Sequence, residues 1–246
     1  MKVEVCCGSY TDALSAFKGG ADRVELCADL FFGGLTPSLG SLKLLRKQFD
    51  REISVMVRPR ESGFCYSKDE VELMFADAEE FINNGADGLV FGFLNSDGYI
   101  DYELTEKFVK FVNGRCKTVF HKAFDVAKDN LEDSVKKLSE IGVTRILTSG
   151  KSKNALEGAE NIKKMIDLNL LEILPAGSIR IHNIDELQSK TGCNFVHTSA
   201  FETLSDKSAL NDKINFTSVK LPAQEDYSSV NQVIVENIVA KAHSMK

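Results

Sequence analysis

The sequence predicts an α/β fold: a single-domain (β/α)8 TIM barrel with a parallel eight-stranded core, spanning residues 1–246. A helix that ends at a glycine, a short loop and an apolar strand recur about every 50 to 65 residues, at Gly20, Gly85, Gly142 and Gly192. Each interval fits one βαβα unit, so four copies give eight strands and eight helices. The length of 246 residues also matches the roughly 250 that such a barrel needs.

Eight short apolar runs account for the strands. In chain order they cover residues 3–6, 23–26, 53–58, 88–91, 118–121, 145–148, 171–174 and 195–197. Their alternation with helical segments predicts a parallel sheet. A doubly wound open sheet is the alternative, but the even spacing of the four repeats favours a closed barrel.

Periodic apolar positions and capping residues predict the helices. These cover residues 9–19, about 36–48, 68–83, 131–140, 156–168 and 228–244. Thr36 and Pro37 are typical of a helix cap followed by proline at the first helical position. The polar stretch 201–226 predicts a long loop after strand eight, so residues 201–246 form a C-terminal loop and final helix.

The composition is that of a globular protein, with 43% hydrophobic and 27% charged residues. The net charge of −6 argues against nucleic acid or an anionic membrane as a partner. The sequence shows no signal peptide and no apolar stretch that could span a bilayer, so we expect a cytoplasmic protein. In that compartment the six cysteines are core residues, metal ligands or reactive thiols rather than disulfides.

The first two strands each carry a glutamate and a cysteine two residues apart. Because side chains alternate across a strand, Glu4 shares a face with Cys6, and Glu25 shares a face with Cys27. We expect Cys6 and Cys27 to occupy equivalent positions on neighbouring strands, about 5 Å apart. Two thiolates at that separation suit a soft metal ion, above all Cu(I). The alternative is that both cysteines are small buried core residues.

A group of ionisable residues follows the carboxyl ends of the strands, where barrel enzymes place their chemistry. We predict that Glu25 and His121 exchange protons, that Arg58 stabilises developing negative charge and that Asp125 orients a partner. An interior ion pair between Glu25 and Arg58 is the structural alternative. Strand alternation places Lys122 opposite His121, facing the helices.

Small residues after strands six, seven and eight predict an anion site. Such residues let backbone N–H groups approach a phosphate at the common barrel position. The candidates are Ser149, Gly150, Gly177, Ser178 and Ser199. Ordinary tight turns, which also use glycine and serine, are the alternative.

Several blocks of the sequence resemble the CutC copper-homeostasis family. They are VEVCCGS, GGADRVELCADLFFGGLTPSLG, VMVRPR, GADGLVFGFLNSDGYID, FHKAFD, RILTSG, PAGSI and HTSA, and they run from about residue 3 to 200. The resemblance implies a cytoplasmic barrel, a homo-oligomer (dimer or tetramer), and Cu(I) binding by the cysteines of the EVC and ELC motifs, here Cys6 and Cys27. Two departures are Lys122, where the family has arginine, and PAGSI, where it has PGGGI.

Two functional hypotheses follow. In the first, the chain is a copper-handling protein that binds Cu(I) through Cys6 and Cys27. In the second, it is an enzyme that uses the ionisable cluster and the anion site on a small anionic or phosphorylated metabolite. With the resemblance we favour the first hypothesis and keep the second as the alternative.

Overall fold

The computed structural model, which describes residues 1–209, 214 and 226–245, contains a nearly closed barrel of eight parallel strands, as predicted. The strands are β1 (Lys2–Cys7), β2 (Arg23–Leu26), β3 (Glu52–Met56), β4 (Gly88–Phe91), β5 (Lys117–Phe120), β6 (Arg145–Thr148), β7 (Glu172–Pro175) and β8 (Phe195–Thr198). Their order in the sheet is β7-β6-β5-β4-β3-β2-β1-β8. The alternative of a doubly wound open sheet is wrong.

The barrel has one seam without a ladder among its eight strands, between β7 and β8. The side chain of Thr198, at the end of β8, crosses this seam and donates a hydrogen bond of 2.7 Å to the carbonyl of Ile179. Some backbone N–H and C=O groups after β7 therefore have no hydrogen-bond partner in the sheet.

Helices follow the strands and cover the outside of the barrel. They are α1 (Tyr10–Lys18), α2 (Leu39–Arg46), α3 (Lys68–Asn83), α4 (Tyr102–Val112), α5 (Ala123–Val126), α6 (Leu131–Ile141), α7 (Ala159–Asp167), α8 (Ile184–Thr191) and α9 (Gln232–Ser244). The predicted limits of the helix over 68–83 are confirmed, and Ser67 and Glu70 form its capping box. Within the described residues, no helix combines the length and the apolar character that a membrane crossing requires.

The four repeated glycines all adopt the left-handed backbone that residues with a Cβ rarely enter. Their φ angles are 91° at Gly20, 89° at Gly85, 98° at Gly142 and 70° at Gly192. The last two are the C-caps of α6 and α8, and the first two follow the C-caps of α1 and α3. The repeat in the sequence is thus a repeat of one backbone turn, which reverses the chain from helix to strand.

Two predictions about element ends are wrong. Ser38, not Thr36, caps α2, because the Thr36 hydroxyl is hydrogen-bonded to the backbone of Arg58 at the end of β3. The final helix begins at Gln232, because the residues before it form a strand, β10 (Asp226–Val230), antiparallel to β9 (Phe201–Ser205). The predicted loop over 201–226 is therefore a strand at its start, and most of the remainder lies outside the described residues.

A network of buried charges fills the amino-terminal end of the barrel. The guanidinium groups of Arg23 and Arg145, each 1% exposed, lie among three glutamates. Arg23 pairs with Glu4 and lies 3.0 Å from Glu172, while Arg145 lies 2.7 Å from Glu172 and 3.0 Å from Glu52. Paired charges replace an apolar layer at this end of the barrel.

We expect Arg23→Met to destabilise the protein by about 3–5 kcal/mol, because it removes one of the two cations that compensate the buried Glu4 carboxylate. The free energy of unfolding from urea titration measures this. Lys164→Met, which removes an exposed pair with Glu160, is the matched control and should leave the free energy of unfolding nearly unchanged. Equal effects of the two substitutions would contradict a structural role for the buried layer.

Candidate functional site

Cys6, Glu25 and Cys27 lie together on the inner face of the barrel. The Cys6 sulfur is 3.5 Å from Oε2 of Glu25, and the Cys27 sulfur is 3.6 Å from the same oxygen. The expected equivalence of the two cysteines is wrong, because Cys6 faces Glu25 in the ladder and Cys27 lies two residues further along. Neighbouring strands of a closed barrel are staggered, and this stagger places the carboxyl group beside both thiols.

His197, on β8, joins this group although sequence reasoning assigned it no role. Its Nδ1 lies 2.6 Å from Glu4, and its Nε2 lies 3.8 Å from Glu25. Strand alternation, which puts His197 on the same face as Ser199, is the signal that could have found it. Through Glu4, the ring is connected to Arg23 in the buried charge layer.

Mutual contacts shift the pKa values of these groups strongly. A hydrogen bond with Cys27 and the nearby His197 ring lower the pKa of Cys6 to about 5, against the effect of burial. The hydrogen bond to Cys6 and burial raise the pKa of Cys27 well above its ordinary value. Burial raises the pKa of Glu25 to about 8. Cys6 is therefore the more acidic of the two thiols, and Glu25 holds its proton more tightly than an ordinary carboxyl group.

The charge of His197 follows from its carboxylate neighbours. Burial disfavours the imidazolium, but the Glu25 carboxyl group and hydrogen bonds to Cys6 and Glu4 raise the pKa of His197 well above its ordinary value. Glu4 is buried, yet Arg23 and His197 hold its pKa well below the usual range. The Glu4–His197 contact is thus an ion pair, which fixes the orientation of the ring.

Arg58 follows β3, His121 follows β5, and both residues line the barrel mouth. Arg58 forms no ion pair with Glu25; it donates instead to the carbonyls of Phe32, Gly34 and Ser62, at 2.8 to 3.0 Å. The alternative of an interior Glu25–Arg58 pair is therefore wrong among the described contacts. Arg58 holds the loops after β2 and β3 over the mouth, and its charge remains without a carboxylate partner there.

The His121 ring is buried and neutral. Burial and the charge of Arg58 lower its pKa to about 3. Its Nδ1 accepts a hydrogen bond of 3.1 Å from the Ala123 N–H, so the proton of the neutral ring lies on Nε2. That nitrogen has no partner among the described residues. His121 can therefore donate a hydrogen bond to a bound molecule.

Asp125 is turned away from this group and organises the turn after β6. Its carboxylate accepts hydrogen bonds from the Thr148 hydroxyl at 2.5 Å, from both the N–H and the hydroxyl of Ser149, and from the Lys151 N–H. Gly150 is packed against Gly158, whose carbonyl oxygen would lie 2.4 Å from an added Cβ. The structure thus brings Asp125, Ser149 and Gly150 together, but in a compact turn rather than in the cavity wall.

A cavity of about 310 Å³ opens at the carboxyl ends of the strands. Its wall contains most of the residues that the sequence singled out: Cys6, Glu25, Arg58, His121, Gly177, Ser178 and Ser199. It also contains two cations without an assigned role, Lys122 and Arg180. The expectation that Lys122 faces the helices is wrong, because β5 ends at Phe120 and Lys122 caps the short helix that follows.

The donor set can hold a metal ion. One ligand atom from each of Cys6, Glu25 and Cys27 lies within 4.8 Å of the others, and the same holds for Glu4, Glu25 and His197. Two thiols with a carboxyl group suit a soft monovalent ion better than a hard cation. The first group fits Cu(I).

The family model described as the CutC family matches residues 1–202 of the chain. The family protein CutC of Treponema denticola is 48% identical over 204 residues, which cover 82% of each chain. The human copper homeostasis protein cutC homolog is 39% identical over 203 residues, which cover 82% of this chain and 74% of that one.

The crystal structure of a CutC protein from Streptococcus agalactiae has the same fold. It superposes with a TM-score of 0.74 at 32% sequence identity, and the match covers 80% of this chain and 97% of that one. The matched part of this chain corresponds in extent to the barrel, including β1 to β8.

We expect Cys6 to be the most reactive inner-face thiol at neutral pH. With a pKa of about 5 it stays a thiolate down to that pH and loses reactivity below it, while the raised pKa of Cys27 keeps that thiol protonated. Iodoacetamide labelling of the reduced Cys65→Ser variant at about pH 6, read by peptide mass spectrometry, tests this order. Equal labelling of the two thiols, or labelling of Cys6 only in alkali, would contradict it; the urea-unfolded chain is the control.

Proposed function

The chain belongs to the CutC family of copper-homeostasis proteins, and we propose that it binds Cu(I) through Cys6 and Cys27 at the barrel mouth. The observation that carries the proposal is the position of both sulfurs against one carboxyl oxygen, at 3.5 and 3.6 Å. Thiolates are the ligands that Cu(I) prefers. We also propose a cytoplasmic location and a homo-oligomeric state.

The neighbouring groups suit the loading of a thiolate-bound ion. Thiol ligands must lose their protons when they bind a metal. Cys6 is a thiolate at neutral pH because its pKa is about 5, so only Cys27 has to release a proton. Met56, whose thioether is another soft donor, packs in the same inner cluster as Cys27 and lines the cavity. Release of copper to a partner would reverse these steps.

A second candidate function is an enzyme that acts on a small anionic metabolite. The observation that favours it is that Arg58 and His121 share one cavity wall with Glu25, whose pKa of about 8 suits proton transfer near neutral pH. In this proposal Glu25 exchanges protons with the substrate. His121 donates a hydrogen bond from Nε2, and the charge of Arg58 stabilises negative charge. Asp125 acts indirectly, through the turn after β6.

We expect the Cys6→Ser, Cys27→Ser double variant to lose at least about a hundredfold in Cu(I) affinity, because it removes both soft ligands. Competition with a chromogenic Cu(I) chelator, without oxygen and with all thiols reduced, measures the affinity. The matched control is Cys65→Ser, Cys116→Ser, which removes two thiols outside the cavity wall. Tight binding that survives in the first double variant would exclude this site.

The enzyme hypothesis predicts a different pattern of losses. Copper-free protein should convert at least one compound in a panel of small phosphate esters and carboxylates, and proton NMR measures the conversion. The variant His121→Asn should slow this turnover by about a hundredfold. Cu(I) affinity should stay unchanged, since His121 is outside the thiol group. His182→Asn, at an exposed histidine, is the control. Turnover that persists in His121→Asn would remove His121 from the mechanism.

A further inference from the structure

We infer that the cavity contains a subsite for the phosphate dianion of a small molecule, formed by the turns after β7 and β8 together with Lys122 and Arg180. The inference rests on the second candidate function and names its substrate class. It differs from the sequence prediction in its residues, because the turn after β6 is occupied with Asp125.

The turn after β7 presents three consecutive free backbone donors. The N–H groups of Gly177, Ser178 and Ile179 donate to no acceptor among the residues that the structure describes. They follow β7, which forms no ladder with β8, so no strand on that side accepts a hydrogen bond from them. All three residues line the cavity. Unused N–H groups at this point of a barrel are suited to phosphate oxygens.

Hydroxyl groups add to the donors on the same side. The side chains of Ser178 and Ser199 line the cavity, and neither hydroxyl has a hydrogen-bond partner within the described part of the chain. Thr198, which lies between the two turns, uses its hydroxyl to hold the Ile179 carbonyl at 2.7 Å. The seam is thus held at one point, and the two serines beside it stay free to donate.

The cavity wall carries three cations without counterions. Lys122, Arg180 and Arg58 form no ion pair with any described carboxylate, although the chain as a whole has a net charge of −6. Arg180 uses one nitrogen, Nη1, on the Ile179 carbonyl at 2.7 Å, which leaves the rest of its guanidinium group available. Glu25 is the one carboxyl group among the described lining residues, and it contacts the thiols instead.

Two buried side chains point to a ligand independently of the turns. Arg58 is 5% exposed and His121 is 4% exposed, and both belong to the cavity wall. Nε of Arg58 and Nε2 of His121 have no partner among the described residues. Buried donors are costly to leave unsatisfied, and these two add to the excess of donors over acceptors in the cavity wall.

The excess of positive charge in the cavity wall indicates which class of ligand fits. Three cations and a set of hydrogen-bond donors exceed what one carboxylate can use, whereas a phosphate dianion has three terminal oxygens and two charges. Apolar side chains, including Leu30, Phe64 and Leu147, form other parts of the wall. With a volume of about 310 Å³, the cavity fits a compact phosphate monoester whose body extends from the subsite toward Glu25.

The test is calorimetric titration of inorganic phosphate into the reduced, copper-free protein at about pH 8, where phosphate is a dianion. We expect one phosphate to bind. The Lys122→Gln, Arg180→Gln double variant should bind it more weakly by roughly tenfold or more, because charge-assisted hydrogen bonds are lost. Lys153→Gln, which removes an exposed cation outside the lining, is the matched control and should bind phosphate like the wild type.

Three results would overturn the subsite: no binding to the wild type at about 10 mM phosphate, an equal loss in Lys153→Gln, or displacement of phosphate by succinate at equal concentration. An unchanged midpoint of urea unfolding shows that the double variant is folded; if it is not, the two single variants should each show part of the loss. Phosphate binding without turnover of any ester would refute the second candidate function and leave the subsite in place.

Discussion

The rest of the site depends on the ion pairs that the buried Glu4 carboxylate forms. This carboxylate is buried between Arg23, at the start of β2, and His197, on β8, so one side chain joins the three strands β8, β1 and β2. A buried carboxylate is stable only when its charge is compensated, and here two cations compensate it. The second of these cations, the His197 ring, also lies beside Glu25, and Glu25 contacts both thiols. The geometry of the proposed metal site is therefore tied to the ionic layer of the barrel.

The two ends of the barrel interior differ in how far their charged side chains are paired. At the amino-terminal end, Arg23 and Arg145 are paired with glutamates, so the charges of this layer are largely balanced within the protein. At the other end, cations and hydrogen-bond donors remain without acidic partners among the described residues. Such an imbalance costs stability unless a ligand compensates it. We therefore expect a ligand to bind at the carboxyl-terminal end of the barrel, where the cations lack acidic partners.

The proposed copper and phosphate sites share one cavity but use different walls. Cys6, Cys27 and Glu25 come from β1 and the end of β2, whereas Gly177, Ser178 and Ser199 come from the turns after β7 and β8. The thiols and the anion donors are therefore chemically separable. A loss of one function by substitution need not remove the other, which is why the effect of a variant on copper tolerance alone would not identify the chemistry of this cavity.

The sequence by itself determined the barrel and most of its site. Glycines that reverse the chain and apolar runs at a regular interval specify local structure, and the i, i+2 pairs of glutamate and cysteine specify one face of a strand. Only the tertiary structure decided the stagger that sets Cys6 against Glu25, the position of Asp125 in a turn, and the contact of His197 with Glu4. These depend on strands and turns far apart in the chain, and local periodicity carries no information about their relative register. The open β7–β8 seam is likewise a property of barrel closure, which involves all eight strands at once.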